Sequence, residues 1–121
     1  MDLFELMEEQ DCQRVWAFHH PQAGLKAWLV LDDASLGPAA GGTRTWHYPS
    51  SRHALIDAMR LARAMTLKCS LANLDAGGGK LVVMASPSLD RELAFQALGQ
   101  EIAGLPFHTA GDMGTLGTDL Q

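Results

Sequence analysis

The sequence predicts an α/β domain in which a mixed β-sheet carries helices packed on it. Three observations point there. Short runs rich in β-branched and aromatic residues alternate with three stretches of helical period, in the order α-β-β-β-α-β-α-β. Clusters of Gly, Pro and Ser punctuate nearly every junction. The length, 121 residues, suits one domain with its own core.

Leu3, Phe4, Leu6 and Met7 suit one face of a short opening helix. Arg14 to Phe18 (RVWAF) reads as a strand. His20-Pro21-Gln22-Ala23-Gly24 is a turn, and Leu25 to Leu31 (LKAWLVL) is a second strand, so the two form a hairpin ended by Asp32-Asp33. Ser35 to Gly42 is a Gly- and Pro-containing loop, and Thr43 to His47 a third strand. Ser50 or Ser51 caps a helix that runs to about Met65. Leu55, Ala58, Met59, Ala62 and Met65 recur at helical spacing, and Arg52, Arg60 and Arg63 fall on the other side. Ser70 to Gly79 is a loop, Lys80 to Ala85 (KLVVMA) a strand, and Ser86-Pro87-Ser88 a turn. Asp90 to Ala103 is a helix with Leu93, Ala97, Leu98 and Ile102 on one face, stopped by Gly104-Leu105-Pro106. Phe107 to Ala110 is a short strand, Gly111 to Gly117 a third Gly-rich turn, and Thr118 stands at the start of a further helix. With no repeat and no linker, residues 1–121 form a single domain.

Composition excludes several classes. A net charge of −5 with no basic run argues against nucleic acid as a partner. Cys12 and Cys69 stand far apart outside any CxxC pair, which fits a reducing compartment. The opening MDLFELMEEQD lacks a basic n-region and an apolar h-region, and runs such as Ala27 to Leu31 are too short to span a bilayer. A soluble cytoplasmic protein with no membrane partner is expected.

Candidate chemistry centres on lysine. The chain has three, Lys26, Lys68 and Lys80. Lys68 sits in MTLKCSL, and Lys80 opens an apolar strand straight after Gly77-Gly78-Gly79; neither position reads as a solvated helix face. Apolar surroundings and a neighbouring ammonium both favour the neutral amine, so such a pair can divide carboxylate binding from proton transfer. Residue types alone leave a second reading open, in which both lysines reach the surface along their aliphatic stems. Asp112, in AGDMGT, is either a partner for a lysine or the cap of its own turn. GGGK is not a phosphate loop, because position 74 is Leu and Leu81 follows Lys80; Gly111, Gly114 and Gly117 have the wrong spacing for GxGxxG. No Rossmann fingerprint is present. His19, His20, His47, His53 and His108 lack metal-ligand spacing, so no metal is expected.

SLGPAAGGTR (35–44), ALIDAMRLARAMTLK (54–68), GGGK (77–80) and AGDMGT (110–115) occur in this order over nearly the whole chain. The pattern resembles the N-terminal, substrate-binding and dimerisation domain of the glutamate/leucine/phenylalanine/valine dehydrogenases, and the leucine dehydrogenase branch most closely. The resemblance implies oxidative deamination of an L-amino acid to a 2-oxo acid with NAD or NADP. The cleft would lie between this domain and a Rossmann-type second domain. It implies Lys68 as the ligand of the substrate α-carboxylate with Met65 nearby, Lys80 as the catalytic lysine, Asp112 as the acid/base for the amine, and Gly41 and Gly42 as backbone lining. Ala40 stands where glutamate-specific relatives hold a lysine for the side-chain carboxylate, which implies an apolar substrate. The resemblance further implies a homodimer or higher oligomer, no cofactor on the chain alone and no turnover by the chain alone.

Some positions depart from the family pattern. Leu81 follows GGGK where relatives carry a small residue, which is expected to crowd the lysine. Asn73 replaces a glycine, Asp75 adds a charge near Lys80, and Gly111 replaces Glu. The length leaves three explanations open: a fragment of a longer enzyme, a truncated gene product, or a free-standing binding or assembly module that kept the fold.

Overall fold

A computed structural model of the protein describes residues 2–33, 35 and 39–109. Helix α1 (Leu3–Gln10) leads into the hairpin of β1 (Arg14–His20) and β2 (Leu25–Leu31), closed by a 3-10 turn at Pro21–Ala23. The strands β3 (Ala39–Gly41) and β4 (Thr43–Trp46) precede the long helix α2 (Ser51–Leu71). Then come β5 (Gly79–Met84), α3 (Arg91–Ile102) and β6 (Phe107–Thr109).

The main sheet has the order β1-β2-β5-β4. β1 and β5 flank β2 antiparallel, and β4 runs parallel to β5, so the sheet is mixed as predicted. The parallel pair needs a crossover, which α2 supplies. Strand alternation divides the core in two. Ala27, Leu29, Leu31, Leu81 and Val83 face Ala94, Leu98 and Ile102 of α3. Val30 and Val82 face Leu6 of α1 and Ala54, Leu55, Ala58, Met59 and Ala62 of α2. No helix among the described residues is long and apolar enough to cross a membrane.

Four details differ from the sequence reading. β3 lies inside the segment read as a loop, because three residues suffice to pair with β6 in parallel and no periodicity can announce so short a strand. α2 continues past Met65 to Leu71, since nothing between them breaks a helix, and Asn73 ends the segment with φ +58°. Asn tolerates that left-handed conformation better than other non-glycine residues, which accounts for its presence where a glycine is usual. On α3 the buried stripe is Ala94, Leu98 and Ile102 at four-residue spacing, and Leu93 is exposed. Finally, Leu81 is fully buried towards α3, on the opposite face from Lys80, so it does not crowd that lysine.

Candidate functional site

Lys80 begins β5 and shares the α2 face with Val82, which is why it stands over the helix and not among the α3-side leucines. The amide of Leu81 donates to the Gly42 carbonyl at 3.2 Å, drawing the β3–β4 junction beneath the lysine. A Cβ on Gly42 would lie 3.4 Å from Lys80 Nζ, so the glycine leaves the ammonium room. Across from them, Leu61, Ala64, Met65 and Lys68 recur at i, i+3, i+4 and i+7 and form one stripe of α2. Together with Gly42, Gly79 and Lys80 they enclose a pocket of about 80 Å³.

The two lysines differ. Lys80 is half-buried and its pKa is lowered, chiefly by burial, then by the charges of Arg44 and Lys68, with Asp57 acting in the opposite sense. Lys68 is exposed on the last turn of α2. The expectation that neither lysine lies on a solvated helix face therefore holds for Lys80 and fails for Lys68, because α2 is longer than the sequence periodicity indicated. Asp75, exposed beyond α2, is not among the charges acting on Lys80.

Of the sequence-predicted residues, the fold brings together Lys80, Lys68, Met65 and Gly42. Gly41 is buried beside them, where an added Cβ would come within 1.7 Å of the Gly79 carbonyl oxygen; it permits backbone contact between β3 and β5 and does not line the pocket. Ala40 is half-buried in β3, opposite His108 and bridged to Gly78. Asp112 and Gly111 lie outside the described residues.

Sequence reading missed Arg44 and Asp57. Arg44 pairs in register with Val82 and so lies on the α2 face with Lys80. Asp57 projects from α2 and gathers three partners: it accepts from Tyr48 Oη at 2.5 Å and from Arg60 at 2.6 Å, and it lies 3.5 Å from Arg44 Nε. Burial would raise the Asp57 pKa, but these partners outweigh it and the pKa is lowered. The signal that could have found Arg44 is an arginine in the middle of a four-residue strand, where alternation must aim it at a helix.

A larger groove of about 340 Å³ is lined by Asp11, Asp32 and Asp33 against Arg63. Three carboxylates to one guanidinium repel an anion, so a carboxylate substrate is better served by the smaller, cationic pocket. Dinucleotide phosphates are commonly held where a glycine-rich turn opens a helix. Ser50 Oγ accepts from the His53 amide at 3.3 Å and the Asp90 carboxylate from the Leu93 amide at 3.2 Å, so α2 and α3 are capped by their own side chains. Gly77 to Gly79 lead into a strand, not a helix.

Fold and site together define a mixed-sheet α/β domain with a cationic pocket between a long helix and the sheet. The sequence profile of the Glu/Leu/Phe/Val dehydrogenase dimerisation domain matches residues 12–120. Leucine dehydrogenase of Geobacillus stearothermophilus is 46% identical over 123 residues, covering 99% of this chain and 34% of that protein. Phenylalanine dehydrogenase of Thermoactinomyces intermedius is 45% identical over 118 residues, covering 94% and 32%. Among solved structures, L-tryptophan dehydrogenase from Nostoc punctiforme superposes with a TM-score of 0.82 at 37% identity, over 89% of this chain and 33% of that one. The chain belongs to the Glu/Leu/Phe/Val dehydrogenase family and corresponds to its dimerisation domain. It spans about a third of the length of the curated relatives it matches.

Proposed function

We propose that this chain is the substrate-binding and dimerisation domain, over residues 1–121, of an NAD(P)-dependent dehydrogenase acting on an apolar L-amino acid. The observation that carries the reading is the convergence of Lys68, Lys80, Met65 and Gly42 on one small pocket. About 80 Å³ is well short of the roughly 300–1,000 Å³ of a complete small-molecule site, so the pocket suits one end of a substrate. Lys68 attracts the α-carboxylate as a mobile point charge. Lys80, biased towards the neutral amine, takes the proton from water adding at the α-carbon and, once protonated, stabilises the oxygen left there. Asp112 handles the amine, and Gly42 brings backbone close to the carboxylate while Gly41 lets β3 approach β5 behind it. Ala40 offers no charge to a side-chain carboxylate, which disfavours glutamate. NAD or NADP belongs to a separate nucleotide domain, the chain alone binds neither, and β1, an edge of the main sheet, pairs with a second copy.

The test is an amino-acid panel assayed on the protein that carries this domain together with a nucleotide domain, read as NADH or NADPH formation. Leucine, valine or phenylalanine should be oxidised in preference to glutamate, and Lys80→Ala should lose at least about 10²-fold in kcat, the scale of a general base. Preference for glutamate, or full activity of Lys80→Ala, contradicts the reading.

A further inference from the structure

Arg44 has a place in this site that the pocket lining alone does not reveal. It stands opposite Val82, and Lys80 lies two residues away on the same face of the paired strand. Same-face diagonal neighbours on adjacent strands are roughly 7–8 Å apart, within range of a Coulombic interaction between two charged side chains. A guanidinium does not shed its proton at accessible pH, so this cation is permanent. It is also held in place. Its guanidinium carbon lies 4.7 Å from the centre of the Trp46 ring, and Nε lies 3.5 Å from Asp57 Oδ2. Asp57, whose side chain is only 11% exposed, is fixed in turn by Tyr48 and Arg60. At Lys80 the charge of Arg44 outweighs that of Asp57, so the pair is net positive towards the lysine.

We propose that Arg44, clamped by Asp57 and Trp46, is a positioning residue for Lys80, a fixed cation that disfavours the ammonium form in the pocket. This rests on Lys80 being the proton-transfer group of the proposed site. Among the described residues, the charged groups that bear on Lys80 are Arg44 from β4 and Lys68 and Asp57 from α2, while β2 presents Val30 opposite it. Arg44 and Lys68 act alike and Asp57 against them, so the geometry and the lowered Lys80 pKa agree in sign.

The test reads lysine ammonium signals by ¹⁵N NMR across a pH titration of the 121-residue chain, in which Lys26 serves as an internal reference. Arg44→Gln should shift the Lys80 midpoint upward and leave Lys26 unmoved. Arg44→Lys, which restores the charge, should return the midpoint part of the way towards the parent. In an Asp57→Asn background the Arg44→Gln shift should shrink, because the guanidinium is no longer held. An unchanged midpoint in Arg44→Gln, or the same midpoint in Arg44→Gln and Arg44→Lys, overturns the proposal; a full-sized shift in the Asp57→Asn background overturns the clamp. A parallel titration with a 2-oxo acid reports on the site reading independently, since binding can fail while the charge coupling persists.

Discussion

At the scale of single residues, Lys80 sets the pH behaviour. An unfolded lysine titrates near 10.5, and folded Lys80 titrates below that because burial and two neighbouring cations disfavour its charge. Below the folded value both states carry the proton, and the folded state bears the whole cost of the buried charge. As pH rises through the folded value towards 10.5, the unfolded chain keeps a proton that the folded chain has shed, so this group's contribution to stability increases. Lys80→Met removes that cost. The variant should unfold at a higher denaturant concentration than the parent at neutral pH, with the difference narrowing as pH approaches 10.5; a constant difference, or a less stable variant at neutral pH, contradicts this. The site was legible from residue identity where an unusual type stood in an unusual place, as with Lys80 after three glycines. Arg44 and Asp57 were not legible, because an arginine and an aspartate are ordinary surface residues until register and helix phase bring them together near Lys80.

At the scale of elements, the sequence announced what periodicity and punctuation can announce. The β1–β2 hairpin, the α2 stripe from Leu55 to Met65 and the β5 run follow from spacings of two and of three to four residues. β3 escaped because its pairing with β6 is non-local and too short to leave a pattern. The phase of α3 was misread because Leu93 outweighs Ala94 in hydrophobicity, whereas close packing of helix on sheet favours the smaller side chain. Glycines separate the two kinds of position sharply. Gly41→Ala drives a methyl to 1.7 Å from the Gly79 carbonyl and should cost about 3 kcal/mol, prying β3 from β5. Gly99→Ala, in the interior of α3 with nothing within 4 Å of the new methyl, should add about 0.5–1 kcal/mol through helix propensity. Chemical denaturation of both variants checks the pair; equal effects would mean that the β3–β5 approach is not tight.

At the scale of the whole molecule, the sheet and α2 build one wall of a site. The pocket holds cations but little volume. Under the function proposed above, such a wall orients a small anion and a separate domain supplies the oxidant. The central claim of the proposed function is that Lys68 holds the substrate carboxylate in this wall, beside the proton-transferring amine of Lys80. Its most direct test is a titration of the 121-residue chain with 4-methyl-2-oxopentanoate, followed at the side-chain signals of the three lysines. The signals of Lys68 and Lys80 should move together and saturate while that of Lys26 stays fixed. Equal drift of all three, or no movement at Lys80, would contradict the account.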